Sequence, residues 1–221
     1  MPKTLSLLFL IAAFQPLCAQ ESDKTTSRGI QLRGFAFALF KGIDTLELRS
    51  KDKLVGELFL PTGQLRNRTP VSARQFSVGV TEDDTFRTLG TVTLPDAGKD
   101  FIVVFAPTAN GYQAFPVRAD DPDFRGDDTY LFNFTDHRLG IMLGTAKQAV
   151  PPWDRARLRP AFPADATFYQ ALFTYEKEGS FVPFNNTRWP VNGNIKALLF
   201  VFKDPATGRL AYRSVTELAG P

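Results

Sequence analysis

The sequence has 221 residues, 43% of them hydrophobic and 13% aromatic, and a formal net charge of +3. A chain of this size can bury a sizeable core, and its scattered charges argue against nucleic-acid binding, which requires clustered basic residues. Its one cysteine, Cys18, can form no disulfide within the chain, so burial of apolar surface must hold the fold together.

Residues 1–19 have the pattern of a secretory signal peptide. A basic N-terminal segment precedes the apolar run of residues 5–14, which is too short to span a bilayer, and Ala19 supplies a small residue for cleavage. We therefore expect an exported protein, periplasmic or extracellular, with no transmembrane segment after cleavage. Lipidation of Cys18 is the alternative, and Leu17 directly before it argues against this.

Residues 20–29 are polar and predict a flexible lead-in. From residue 30 onward, short apolar or alternating runs separated by Gly, Pro, Asn and Asp predict β-strands joined by tight turns. The expected strand pairs cover residues 45–60, 101–117, 129–143, 167–184 and 195–215, and the proline-rich residues 149–165 are either an edge strand or a long connection.

This spacing predicts an all-β protein, an antiparallel β-sandwich of immunoglobulin-like or related type with little or no helix. The hairpin at residues 101–117 bridges the midpoint of the chain, so we expect residues 30–221 to form a single unit. The alternative is two small sandwiches that meet near residues 107–118. No convincing internal repeat is visible in the sequence.

An acidic segment follows the midpoint of the chain. Ca²⁺ prefers several oxygen ligands, but an arginine interrupts this segment and no glutamate closes it, so a solvated turn is the better interpretation. Its five members are the weak metal candidates Asp120, Asp121, Asp123, Asp127 and Asp128, and no metal or other cofactor is predicted.

Trp153 precedes three arginines at alternate positions, Arg155, Arg157 and Arg159. In an extended strand these three side chains share one face, where they could bind an anionic polysaccharide beside the tryptophan. An edge strand protected by charge against aggregation is the competing interpretation. We call these four residues the arginine row and take them as the candidate binding site.

No catalytic constellation stands out. His137, the single histidine, falls in a predicted turn, as does the Ser-x-x-Lys match that begins at Ser50. A carboxylate pair of the kind that hydrolyses glycosidic bonds depends on spatial separation and not on sequence spacing. The glutamates available for such a pair are Glu47, Glu57, Glu176 and Glu178.

Four stretches together, residues 124–127, 132–135, 186–190 and 204–209, resemble a family of uncharacterised exported bacterial proteins that are rich in β-structure. The resemblance covers most of the chain after the signal peptide and implies one structural unit. The family has no assigned activity, so the resemblance implies no catalytic residue.

Together these patterns predict an exported, non-catalytic binding or structural module at the cell envelope or outside the cell. Its expected partner is an anionic polysaccharide or another envelope component. The alternative is a polysaccharide hydrolase that uses two carboxylates.

Overall fold

The computed structural model describes residues 29–204 and 206–218, which fold into sixteen β-strands. The first eight are β1 (Ile30–Ala36), β2 (Thr45–Ser50), β3 (Lys53–Phe59), β4 (Thr69–Val71), β5 (Gln75–Glu82), β6 (Thr85–Thr93), β7 (Asp100–Pro107) and β8 (Tyr112–Arg118). The second eight are β9 (Thr129–Phe134), β10 (Leu139–Leu143), β11 (Ala146–Val150), β12 (Arg155–Leu158), β13 (Phe168–Lys177), β14 (Ser180–Pro190), β15 (Ile195–Lys203) and β16 (Leu210–Leu218). The predicted signal peptide and residues 20–28 of the lead-in lie outside the described residues.

The predicted all-β sandwich class is confirmed. The described parts of the chain contain no helix, and so none that is long and apolar enough to cross a membrane. Most neighbouring strands are antiparallel, but β1 runs parallel to β7 and β9 runs parallel to β15. Parallel neighbours need long crossover connections, and here each connection is a complete set of intervening strands.

Four predicted hairpins are confirmed, β2–β3, β7–β8, β13–β14 and β15–β16. The predicted pairing between residues 129–135 and 139–143 is wrong, because β9 pairs with β12 and β15 whereas β10 pairs with β11 and β13. The buried Asn133 side chain lies where the chain changes sheet. Its amide donates a hydrogen bond to the carbonyl of His137 (2.7 Å), which fixes a corner between the two strands.

The strands form four four-stranded sheets. The first outer sheet has the order β3-β2-β5-β6, and the first inner sheet has the order β4-β1-β7-β8. The second inner sheet is β12-β9-β15-β16, and the second outer sheet is β11-β10-β13-β14. The proline-rich segment supplies β12, which lies at the edge of its sheet. Of the two expectations for this segment, an edge strand or a long connection, the edge strand is therefore the one that the structure contains.

The first eight strands and the second eight have the same topology, since each strand has its counterpart eight strands later in the chain. We call the two sets the first sandwich and the second sandwich. Even a local irregularity recurs, because a register shift falls between Val78 and Gly79 in β5 and between Phe173 and Thr174 in β13. The repeat is one of strand order and register, and the sequence does not reveal it.

Three apolar clusters show how the sheets are layered. Within β7, Phe101, Val103 and Phe105 point into the core of the first sandwich, whereas Ile102 and Val104 point the other way. The second group packs against the second inner sheet, so both inner sheets are buried on both faces. This explains why β7 reads as an unbroken apolar run.

Phenylalanine dominates the central layer between the two inner sheets. Phe35 of β1 stacks on Phe200 of β15 with ring centroids 5.2 Å apart, and Phe200 also stacks on Phe132 at 5.3 Å. Both Phe35 and Phe200 are fully buried. The two sandwiches therefore meet through a tightly packed aromatic core.

The central layer has approximate two-fold symmetry. Phe115 of β8 packs against Phe132 and Phe134 of β9 (5.9 and 5.5 Å). Its counterpart in β16, Arg213, lies over Phe35 and Phe37 of the first sandwich (5.9 and 5.0 Å). Equivalent surfaces thus contact each other reciprocally, as in a symmetric dimer.

The chain passes from one sandwich to the other through residues 119–128. The hairpin over residues 107–118 belongs wholly to the first sandwich, because β7 and β8 pair along their full length. The expectation that residues 30–221 fold as a single unit stays a prediction. The central layer, which is continuous between the two sandwiches, is an argument for a single unit.

Candidate functional site

Two members of the arginine row, Arg155 and Arg157, lie in β12, at the edge of the second inner sheet. The Trp153 side chain is 40% exposed, and its indole N–H donates to Asp136 (3.1 Å). Burial lowers the pKa of Arg155, since a desolvated guanidinium is less stable when charged. The structure therefore places two of the three arginines on an edge strand, and one of these, Arg155, is partly withdrawn from solvent.

Arg157 and Arg159 are both bound to carboxylates of the same chain. Arg157 forms an ion pair with Asp121 (3.3 Å), and Arg159 forms a bidentate pair with the buried Asp128 (2.6 and 2.7 Å). Two of the predicted metal candidates are thus the partners of the predicted anion-binding residues. These contacts join β12 to the segment that links the two sandwiches.

Two more of the candidate metal ligands, Asp120 and Asp127, also serve the local fold, and Asp127 accepts a hydrogen bond from the Asn192 amide (2.9 Å). Asp120 accepts hydrogen bonds from the Lys99 amide (2.7 Å) and the Arg118 side chain (3.0 Å). Burial by itself would raise the pKa of Asp120, but these two hydrogen bonds hold it below its usual value. Across residues 29–204 and 206–218, no three His, Cys, Asp or Glu side chains are grouped so that they could hold a metal ion.

A cleft lined by charged side chains lies where the two sandwiches and the linking segment meet. This polar cleft has a volume of about 680 Å³. Four cationic and four acidic residues are among those that line it: Arg33, Arg68, Arg125, Lys196, Asp100, Asp120, Asp121 and Glu217. A second hollow of about 590 Å³ adjoins it and shares Arg68, Asp100 and Asp120.

Arg33 is the centre of the ion-pair network in this cleft. It projects from β1 of the first sandwich, its side chain is 6% exposed, and it contacts Glu217 of β16 and Asp100 of β7 (3.6 Å). Arg68 pairs with the same Asp100 (2.9 Å). Because the network joins both sandwiches, it holds the walls of the cleft in a fixed relation.

Lys196 and the linking segment form the other wall. The Lys196 ammonium lies 3.3 Å from the carbonyl oxygen of Ala119 and 4.9 Å from the centre of the Phe124 ring. Gly126 packs directly against the backbone of Gly193, where a side-chain carbon would overlap the Gly193 carbonyl. This close approach brings two loops together at the base of the cleft.

None of the cleft's central charges belongs to a sequence motif, because Arg33, Asp100 and Glu217 are far apart along the chain. The sequence nevertheless contains one indication of this cleft. Arg33 lies in the buried part of β1, and a charged residue in a buried strand must find a partner.

The other candidates do not converge on a reactive site. The backbone N–H of His137 donates to Thr135, and its imidazole ring packs against Tyr175 at 5.1 Å. Ser50 donates to the Gln75 carbonyl (3.1 Å) beside a hairpin turn. Among the glutamates, Glu47 faces Glu57 across β2 and β3 on the first outer sheet.

Glu47 is held in its ionised form by its neighbours. A hydrogen bond from the Thr81 side chain is the largest cause that keeps the pKa of Glu47 below its usual value, and hydrogen bonding from Arg49 is the next. A general acid needs a carboxyl group with a raised pKa. Glu47 therefore does not have the environment of the acid catalyst in a glycosidase.

No family model matches the chain, and no curated protein matches it.

Proposed function

We propose that this protein is a non-catalytic binding module of the cell envelope or the extracellular space, and that a saccharide chain binds in the polar cleft. The observation that supports the proposal is a cleft of about 680 Å³ whose charged side chains are held in place by one another at the junction of two sandwiches. Ligand sites favour such junctions and need a few rigidly placed polar groups.

The balance of charge indicates the class of ligand. Equal numbers of cations and carboxylates line the cleft, so it offers neither a strong anion site nor a strong cation site. Fixed carboxylates and guanidinium groups instead suit hydroxyl groups, which accept and donate hydrogen bonds at once. A neutral sugar therefore fits the cleft better than a polyanion.

We propose a non-catalytic role because two carboxylates that line the cleft are engaged in ion pairs. Both Asp100 and Glu217 are ion-paired with Arg33. Carboxylates that are already bound to a guanidinium of the same chain serve to position the walls of the cleft, which is the role of a binding site.

Binding can be tested with Arg125, whose side chain is 67% exposed at the wall of the cleft. Residues 20–221 should bind envelope polysaccharides in a glycan array or pull-down, and Arg125→Ser should weaken that binding about fivefold, the value of one hydrogen bond. Arg66→Ser, an exposed arginine outside the cleft, is the control. Equal loss in both variants, or no binding to any saccharide, would reject the cleft as the site.

The hydrolase alternative is supported by one observation, that Asp100 and Glu217 approach the same guanidinium in one cleft. If it is correct, Asp100→Asn and Glu217→Gln should each abolish release of reducing sugar from a bound polysaccharide, and Glu57→Gln should not. Intact polysaccharide after prolonged incubation with the unaltered protein would exclude hydrolysis.

Binding of an anionic polysaccharide at the arginine row is a separate proposal. Arg155 and the exposed Trp153 support it, whereas the ion pairs of Arg157 and Arg159 weaken it. Simultaneous replacement of the three arginines should abolish retention on a polyanion column, and unchanged retention would discard the site.

Export and membership of the resembled family are likewise proposals, supported by residues 1–19 and by the four stretches named above. N-terminal sequencing of the protein from a fractionated host should find Gln20 first. Recovery from the cytosol with the leader intact would contradict export.

A further inference from the structure

An apolar trough of about 410 Å³ runs across the outward face of the second outer sheet. It lies on the far side of the second sandwich core from the central layer, so it is separate from the polar cleft. The residues that shape it are Gly140, Met142, Lys147, Ala149, Leu172 and Phe181.

The trough arises from small residues between large ones. Gly140 of β10 pairs with Ala149 of β11, and these two form its floor. The next row of the sheet carries Met142 and Leu172, which are opposite each other. A side-chain carbon at Gly140 would come within 3.0 Å of the Phe181 ring, so that ring closes one side. The depression is therefore built into the sheet and does not depend on a loop.

The first outer sheet shows that this topology does not require an apolar outward face. By register, Glu47, Arg49 and Ser77 stand where the second outer sheet has Gly140, Met142 and Leu172. Arg49 pairs with Glu47 (2.8 Å) and thus covers that surface with charge. The apolar character of the trough is therefore specific to the second sandwich, and the shared topology does not account for it.

Charge at the trough indicates what binds there. Lys147 lies on β11 directly opposite Met142, at the end of the row that continues to Leu172. It is exposed, and none of the described residues that line the trough is acidic. An apolar channel that ends at one unopposed ammonium group is complementary to an apolar chain with an anionic end.

We propose that the trough binds a single fatty-acyl chain as the free acid, with the carboxylate beside Lys147 and the hydrocarbon along Met142, Leu172 and Phe181. A depression with one cation suits one extended chain. A membrane surface would instead require protruding apolar side chains surrounded by several cations. The site is independent of the polar cleft.

Isothermal titration calorimetry of the mature chain with sodium decanoate, below its micelle concentration, tests the site. Two substitutions should each weaken binding at least tenfold. Ala149→Trp fills the floor of the trough, and Leu172→Ser introduces the serine that Ser77 supplies at the corresponding position of the first outer sheet. Glu57→Trp, at the position in the first outer sheet that corresponds to Ala149, is the matched control and should bind as the unaltered protein does.

The role of Lys147 has its own readout. Lys147→Gln should weaken decanoate binding about threefold to fivefold, the value of an exposed ion pair, and should leave the binding of decanol unchanged. Lys177→Gln, at the end of β13 and outside the trough, is the control.

Three results would overturn the proposal. The first is decanoate binding that Ala149→Trp leaves intact. The second is binding to phosphatidylglycerol vesicles without binding to decanoate, which would indicate a membrane surface. The third is a dimer in solution that Leu172→Ser dissociates, which would indicate that a second copy covers the trough.

Discussion

The two sandwiches share their strand order and their register, yet corresponding positions carry different chemistry. On the outward faces, Arg49 of the first outer sheet corresponds to Met142 of the second. In the central layer, Phe115 corresponds to Arg213, since they pair with the corresponding residues Val104 and Phe200. On the outer sheets the topology tolerates either choice, because an antiparallel sheet needs one buried face and leaves the other free to vary.

The interior differs as well. Asn133 of the second sandwich occupies the position that Ala36 has in the first, and both are fully buried. Asn133 donates to the carbonyls of His137 and Pro151 (2.7 and 2.8 Å) and accepts from the Thr135 amide (3.0 Å). The second sandwich thus depends on a buried polar residue at a corner that the first forms without one.

The largest expected effect concerns whether the sandwiches are separable. Phe200→Ala should lower the free energy of unfolding by about 3–5 kcal/mol, the usual cost of removing a buried ring, because Phe200 packs on rings of both sandwiches. Calorimetry should still show one transition. Phe105→Ala, in the first core, is the control and should shift the same transition. Two transitions, only one of which moves, would show that the sandwiches unfold independently.

An exchange of chemistry between corresponding positions tests the symmetry of the central layer. Phe115→Arg should cost about 3 kcal/mol, because it buries a second guanidinium with no carboxylate beside it. Arg213→Phe should stay within about 1 kcal/mol of the unaltered protein: burial already lowers the pKa of Arg213, and the substitution removes a desolvated charge while losing one hydrogen bond to the Phe37 carbonyl. Unfolding in urea measures the change in the free energy of unfolding for each variant. Equal losses of stability in the two variants would argue against the symmetry of the central layer.

The contrast between Asn133 and Ala36 predicts that Asn133→Ala lowers the free energy of unfolding by about 2–3 kcal/mol, because several backbone groups lose their partners in a buried corner. Asn186→Ala changes an exposed asparagine in the same sandwich and should stay within about 0.5 kcal/mol. Similar midpoints for both variants in urea would show that the corner does not need its amide.

The smallest effect is a pH dependence in the second core. Burial, and then the charge of Asp127, raises the pKa of Tyr169 to about 12. Its contribution to stability should be complete below pH 10 and should be lost as the pH rises toward 12, because only the unfolded state ionises readily in that window. Burial also raises the pKa of Tyr112 and Tyr130, so ultraviolet titration at the tyrosinate band should show Tyr169 as a step near pH 12 that Tyr169→Phe removes while the other tyrosines still titrate. A full set of tyrosines titrating near pH 10 would contradict this.

The sequence predicted most of the local structure. Alternation in residues 45–49 and the Asp-Pro turn at residues 204–208 predicted hairpins that the structure contains. The failed pairing of residues 129–135 with 139–143 has a physical reason, because two adjacent strands separated by a turn look like a hairpin whether or not the second one changes sheet. The hydrogen bonds by which Asn133 stabilises this corner become apparent only when its partners are known.

The candidate site was less predictable. The arginine row and the acidic segment were each singled out from the sequence, but it did not indicate that they would pair with each other. The polar cleft combines β1, β7 and β16, so no short motif contains it.

The sequence by itself determined the class of fold, because a period of two and frequent turn residues suffice to specify strands and hairpins. Only the tertiary structure decided the repeated topology, the aromatic central layer and the grouping of Arg33 with Asp100 and Glu217. The reason is that alternation specifies which face of a strand is buried but not which sheet buries it. Many different residues satisfy the same alternation, so two halves can share a topology without sharing a recognisable sequence.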